Sequence, residues 1–378
     1  MRKLRMGLIG GGPGAFIGAV HRIAAELDGE IELVAGAFST DAARSVAAGE
    51  QYGIDTSRAY PSYQAMLTAE AGRTDGIDFV TIAAPNHVHL PAARAALAAG
   101  VAVFSDKPMT ATFAEARELA QLASAAQVPY RLTYTYTGYP LVREARRLVA
   151  DGTLGAIRKV VVEYSQSWLA EPIERLGANR QAQWRADPKR SGEGGCIGDI
   201  GVHAFNLAEF VTGRRVKAIC ADLNSIVADR VLDDDCNILL RFDNGAPGVL
   251  VASQIEIGGL NGLRLRVYGD KAALDWSQEL PNTLTVNFLG GRCELRRTGG
   301  GELGSDAKAA TRLPMGHPEG YLEAFANLYH DFARLLRGLD AAPLLPGADE
   351  GLRGMALIAT AVNSSRAGGG WTPLIVQC

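Results

Sequence analysis

Short apolar runs alternate with alanine-rich amphipathic stretches through the opening part of the chain. Leu4–Ile9, Ile31–Ala37, Phe79–Ala83 and Val101–Phe104 read as strands. Ala15–Leu27, Asp41–Tyr52, Tyr63–Ala69, Pro91–Ala99 and Phe113–Ala125 read as helices, with Gly53 and Gly100 standing where two of them stop. The strand runs are continuously apolar, as strands buried on both faces must be. They predict a parallel, doubly wound α/β sheet.

From residue 130 onward the pattern changes. After one helix, Leu141–Ala150, the segments Ile157–Trp168, Val216–Val227, Asn237–Phe242, Val249–Ile257, Leu263–Tyr268 and Leu284–Phe288 alternate apolar and polar positions, as half-buried strands do. Asp243-Asn244-Gly245 is a hairpin signal between two of them. This predicts a second, α+β domain built on a large, open, mostly antiparallel sheet. Two late helices, Gly320–Leu336 and Glu350–Ala367, carry apolar stripes that can cover it. Residues 299–318 are glycine-rich and aperiodic and read as a disordered connection, with a lid or a subunit contact as the functional alternative. The expected domains are 1–128 and 129–378, with the last helix able to pack back on the first.

A chain of 378 residues supports two domains, and 47% hydrophobic with 21% charged residues is the make-up of a globular protein with a sizeable core. A formal net charge of -3 supplies no basic field for nucleic acid or acidic lipid. The apolar run after Arg2 and Lys3 breaks at Gly10, too soon for a signal core, and no stretch is long enough to span a bilayer. The five cysteines, Cys196, Cys220, Cys236, Cys293 and Cys378, lack knuckle or redox spacing, so reduced thiols in a cytoplasm are expected and no metal site is.

Gly10-Gly11-Gly12-Pro13-Gly14-Ala15-Phe16-Ile17-Gly18 follows a strand and opens a helix. Glycines there let backbone N–H groups approach a pyrophosphate at the helix N-terminus, which makes NAD or NADP the expected cofactor. Strict spacing from Gly10 and Gly12 puts the third glycine position at Ala15, and a short insertion puts it at Gly18. The acid expected at the end of the second strand to grip the ribose is replaced by Phe38-Ser39-Thr40. The two hydroxyls, with Arg44 one helical turn on, would suit a 2′-phosphate; Arg44 reads equally well as a solvated helix residue.

Three stretches are candidates for chemistry. Ala84-Pro85-Asn86-His87-Val88-His89 follows the third strand, where Asn86 and His89 could meet the nicotinamide ribose. Asp106-Lys107-Pro108 follows the fourth, where a lysine could polarise a substrate oxygen. Asp199 and His203 are four apart at the start of a helix, on one face, and a histidine beside a carboxylate suits removal of a hydroxyl proton. The plain alternative makes Asp199 an N-cap and His203 a polar helix residue.

Together these stretches resemble the Gfo/Idh/MocA family of sugar and cyclitol oxidoreductases over nearly the whole chain. Gly18-Ala19-Val20-His21 is similar to the family's glycine-then-histidine helix start, which favours Gly18 as the third glycine. Pro85-Asn86-His87-Val88-His89 resembles its Pro-Asn-x-x-His segment, and Asp106-Lys107-Pro108 its Glu-Lys-Pro signature with Asp for Glu. Trp184-Arg185-Ala186-Asp187-Pro188 and Asp199-Ile200-Gly201-Val202-His203 resemble its Asp-x-x-x-His region. The resemblance implies a Rossmann domain followed by an open-sheet domain, with homodimers or homotetramers supported by that sheet. It implies Lys107 beside substrate and nicotinamide, His203 as acid/base and Asp199 as an orienting group. Tyr134, Tyr136, Trp168, Arg185 and His317 are candidates for a sugar or cyclitol substrate. The expected activity is nicotinamide-dependent oxidation of a secondary hydroxyl or reduction of the ketone. The alternatives are a redox-neutral NAD-dependent glycoside hydrolase and a non-enzymatic dinucleotide-responsive binding protein.

Overall fold

A computed structural model describes residues 1–12, 14–175, 179–339 and 344–376. The chain divides into two compact units, the first made of Met1–Thr135 with Phe325–Leu352, the second of Tyr136–Ala324 with residues 353–376.

In the first unit the strands are β1 (Leu4–Gly10), β2 (Ile31–Ala37), β3 (Phe79–Ala83), β4 (Ala102–Ser105) and β5 (Tyr130–Leu132). The helices are α1 (Phe16–Glu26), α2 (Ala42–Tyr52), α3 (Tyr63–Ala71), α4 (His89–Ala98) and α5 (Phe113–Ala125). All strand pairs are parallel, in the order β2-β1-β3-β4-β5. Among the described residues, β2 carries an isolated parallel bridge on its outer side, Gly36 to Ala59. It stands where a doubly wound dinucleotide fold carries a further strand. Side-chain caps start several helices: Asp41 accepts from the Arg44 amide, and Thr112 with Glu115 forms a capping box. β5 lies beyond the expected boundary at 128 and completes the sheet.

The first unit's core takes residues from far along the chain. The helix α11 (Tyr321–Leu336) brings Tyr329 and Phe332 onto the sheet. The Phe332 ring stacks on Phe104 of β4 at 4.6 Å and meets Phe79 of β3 edge-on at 5.3 Å. The penultimate helix therefore covers this sheet, although its stripe was expected to cover the second.

The second unit contains α6 (Pro140–Ala150), β6 (Ile157–Ser165), α7 (Arg180–Arg185), α8 (Pro188–Ser191) and α9 (Val202–Thr212). Strands β7 (Val216–Asn224), β8 (Asp235–Phe242), β9 (Pro247–Ser253), β10 (Gly262–Gly269), β11 (Ala272–Ser277), β12 (Thr283–Phe288) and β13 (Cys293–Arg297) follow. They precede α10 (Ser305–Ala309) and α11; α12 (Ala348–Arg366) and β14 (Thr372–Pro373) close the chain. The nine-stranded sheet runs β13-β12-β11-β10-β6-β9-β8-β7-β14, antiparallel except for β6 with β9. Gly245, at φ 82°, turns the β8–β9 hairpin. Helices α6 and α9 line the inner face, where Leu148, Phe205 and Leu207 are buried with Val162, Leu265 and Trp276.

The stretch 299–318 is packed, contrary to the expected disordered connection. It contains α10, and Leu303, Ala307 and Ala310 are buried. The reason is Glu144 of α6: its fully buried carboxylate accepts from the Gly304 amide at 2.9 Å and pairs with Arg147 and Arg296. Among the described residues, Cys196, Cys220, Cys236 and Cys293 are free thiols; Cys378 lies outside them.

Candidate functional site

In the first unit the glycine turn is built by close approach. A Cβ on Gly10 would stand 2.4 Å from the Ala83 carbonyl oxygen, on Gly12 2.7 Å from that of Phe38, and on Gly18 2.1 Å from that of Gly11. Gly18 is thus the glycine that lets helix and turn touch. Ala15 precedes α1 in extended conformation and donates to the Gly12 carbonyl at 3.0 Å, and no side chain caps that helix. A shallow backbone cradle ending on an uncapped helix N-terminus fits the pyrophosphate of a dinucleotide. Phe16 stands exposed at its rim, beside partly exposed Ile17; Pro13 lies outside the described residues.

At the end of β2, Phe38 is buried; its ring covers Gly36 and meets Tyr52 edge-on at 5.3 Å. The Tyr52 hydroxyl donates to the Gly11 carbonyl, so the aromatic pair braces the turn. Ser39 Oγ accepts from the Asp41 amide at 3.1 Å, while Thr40 and Arg44 are exposed.

After β3 and β4 the polar residues knit the two strand ends. His89, 1% exposed, places Nδ1 2.8 Å from the Pro108 carbonyl and Nε2 2.8 Å from the Ala84 carbonyl. Burial pushes its pKa down, against the opposing Asp106 charge. It ties the backbones together rather than facing a ribose, which was the sequence expectation. Ala84 and Pro85 are partly buried there and Asn86 is buried. Asp106 accepts from its neighbour, the Lys107 amide, at 2.9 Å and from Thr133 Oγ1 at 3.0 Å. Its other oxygen is 4.0 Å from His21 Nε2. Burial opposes its ionisation, yet His21, Lys107 and His89 together hold it well below the usual carboxylate range. His21 Nδ1 in turn meets Tyr329 Oη at 2.8 Å. The Lys107 side chain is partly exposed and Tyr134 is buried.

In the second unit, Ile197–Gly201 forms a π-type turn carrying Asp199, and α9 continues it with His203. Asp199 is no N-cap: its Oδ2 accepts from Arg185 Nε at 3.2 Å and from Gln254 Nε2 at 2.9 Å. The Arg185 guanidinium lies 4.3 Å from the Trp184 ring and 5.8 Å from that of Trp168, and bonds Gln181 Oε1 at 2.7 Å. A stacked arginine thus aims a fixed charge at the carboxylate.

His203 is 8% exposed, its ring edge-on to Tyr136 at 4.8 Å and tilted against Tyr164 at 6.3 Å. The Tyr136 hydroxyl meets that of Tyr164. Tyr164 donates to Asn261 Oδ1 at 2.7 Å, and Asn261 Nδ2 donates back to Tyr136 at 3.3 Å. The three form a closed hydrogen-bonded ring beneath the imidazole. Burial lifts the Tyr136 hydroxyl to about 12, so it stays neutral. His317, by contrast, is exposed, its Nδ1 3.1 Å from the Pro314 carbonyl.

Tyr52, Tyr164, Gln254 and Asn261 escape sequence reasoning: each meets its partner across a long chain separation and carries no motif. No group of three or more metal-binding side chains exists among the described residues, and no described helix is long and apolar enough to cross a membrane.

Residues 4–134 match an oxidoreductase family described as an NAD-binding Rossmann fold, and residues 142–275 match the GFO/IDH/MocA C-terminal domain. An uncharacterized oxidoreductase of Bacillus subtilis is 33% identical, covering 98% of this chain and 96% of its own. The solved structure of an inositol dehydrogenase homolog complexed with NAD+ from Azotobacter vinelandii is 36% identical, with a TM-score of 0.94 over 98% of this chain and 97% of that one. A structure under the same name, complexed with NADH and myo-inositol, is 35% identical, with a TM-score of 0.92 over 98% of each chain.

Proposed function

The chain belongs to the Gfo/Idh/MocA oxidoreductase family, and from that premise we propose that it transfers a hydride between NAD or NADP and a secondary hydroxyl, or the matching ketone, of a sugar, glycoside or cyclitol. The observation that carries this reading is Asp199, gripped by Arg185 and Gln254, one turn before a histidine seated on a tyrosine platform. The bound dinucleotide supplies the hydride acceptor. His203 takes the hydroxyl proton, a task suited to an imidazole near neutral pH. Asp199 orients that imidazole and the substrate. Lys107 holds the reacting oxygen, its backbone fixed by Asp106. Stacking on Trp168 and bonding to Arg185 are the contacts we assign to the substrate ring, and a homodimer or homotetramer in the cytoplasm completes the proposal.

The test is reduced-nicotinamide absorbance across myo-inositol, its stereoisomers and a panel of pyranoses. Lys107→Ala and His203→Ala should each lower kcat on the active substrate by on the order of 10²–10⁴-fold. Full turnover in both would sink the assignment. Release of an aglycone without net nicotinamide reduction would move the protein to redox-neutral hydrolysis. For the dinucleotide, Kd for NAD and for NADP in wild type and Arg44→Ala decide the matter. A loss confined to NADP makes Arg44 the 2′-phosphate contact, and unchanged values remove it.

A further inference from the structure

Three consecutive backbone amides, where the turn that carries Asp199 begins, converge on one residue. Gly195 N donates to Asp233 Oδ1 at 2.6 Å, Ile197 N to Asp233 Oδ2 at 2.7 Å, and Cys196 N to the Asp233 carbonyl oxygen at 2.7 Å. Helix starts leave such donors unmet, and a polar side chain at the start itself normally meets them. Here Cys196 occupies that place and makes no capping bond, so the acceptor arrives from the chain just ahead of β8. The fit is tight: a Cβ on Gly195 would stand 2.2 Å from the Asp233 oxygen. The adjacent carboxylates are committed elsewhere. Asp234 holds the amides of Ile226 and Val227 and the Arg230 guanidinium, and Asp235 accepts from Asn237.

We infer that Asp233 is a positioning residue for the reaction: it fixes where the Ile197–Gly201 turn begins and thereby where Asp199 and His203 stand. The inference rests on the proposed role of those two residues. Asp233 touches neither dinucleotide nor substrate in this account. It acts only through the backbone between Gly195 and Ile197.

The experiment compares Asp233→Asn with Asp234→Asn, using NAD and whichever sugar or cyclitol of the panel the wild type oxidises. An asparagine keeps one acceptor oxygen and surrenders the other. Asp233→Asn should lower kcat by on the order of 10- to 100-fold, a displaced catalytic group being enough for that. Its KM and Kd for NAD should stay within about twofold of wild type, since the glycine cradle is untouched. Asp234→Asn removes the neighbouring charge, which serves the Ile226 and Val227 amides and Arg230 instead, and should lower Tm while leaving kcat unchanged. Wild-type kcat in Asp233→Asn, with His203→Ala inactive, overturns the inference and leaves the proposed function standing. Full turnover in His203→Ala overturns the reading beneath it instead. Should Asp233→Asn not fold, amide hydrogen exchange on the wild-type protein decides: Gly195, Cys196 and Ile197 should be protected like the interior of α9, and exchange at the rate of an open loop refutes the clamp.

Discussion

At Gly18 a single hydrogen atom in place of a methyl group decides whether the dinucleotide cradle closes. The site for a Cβ lies 2.1 Å from one backbone atom of Gly11 and 2.4 Å from another, with no flexible side chain to give way. Gly18→Ala should force α1 and the turn apart, costing about 1–3 kcal/mol and lowering NAD affinity at least about tenfold. Calorimetric titration of NAD checks it; unchanged affinity would show that the turn can open at no cost. Residue identity alone left the third glycine between Ala15 and Gly18, because spacing rules do not see which backbone atoms a turn brings together. Phe38 carries a similar lesson. The absence of an acid there was legible, but the use made of the phenyl ring, bracing Tyr52 against the turn, is a contact between residues 38 and 52 that no local pattern announces.

Among elements, the long apolar runs declared themselves, and Ile31–Ala37, Phe79–Ala83 and Phe113–Ala125 have the ends expected of them. What stayed hidden had weak or one-sided patterning. β13 exposes Cys293, Leu295 and Arg297 and buries no residue, so it gives no alternating signal. The 299–318 stretch looked unstructured by composition because the carboxylate that anchors it, Glu144, sits on α6. The same limit hid Asp233, whose amide partner Ile197 lies 36 positions away. Burial lifts the Asp233 carboxyl to about 6, the Ile197 and Gly195 amides pulling the other way and Asp234 adding to the rise. The Cys196 and Cys236 thiols and the Asp235 carboxylate share its surroundings. A free aspartate titrates near about 3.9. Between those values the folded chain keeps a proton that the unfolded chain has released, so this group's contribution to stability falls as pH rises and levels off above about 6. Asp233→Asn does not titrate. The Tm of wild type minus that of the variant should therefore drop between about pH 4.5 and about pH 7, and a flat difference would contradict the shifted carboxyl.

For the whole molecule, the division of labour was legible and the path of the chain was not. A change from continuous to alternating apolar patterning near residue 130 marks where one sheet ends and another begins. Nothing in that pattern says that Phe325–Leu352 completes the first unit, since an apolar helical stripe does not name the surface it covers. Phe332→Ala should cost about 3–5 kcal/mol, the range for emptying a buried phenylalanine site. It should register as a lowered Tm and weakened NAD binding; a fall in Tm of less than a degree would contradict the stacking on Phe104. A fragment ending at Thr135 should for the same reason fail to give a cooperative melt, and one that melted sharply and bound NAD would show the aromatic cover to be dispensable. The returning helix also bears on how the protein is made. A ribosome releases β1 to β5 early, but Tyr329 and Phe332 leave the exit tunnel only after every strand from β6 to β13 has emerged. The nascent dinucleotide-binding sheet therefore waits with the faces of Phe79 and Phe104 uncovered while the strands from β6 to β13 are made, an interval in which exposed apolar surface favours off-pathway association.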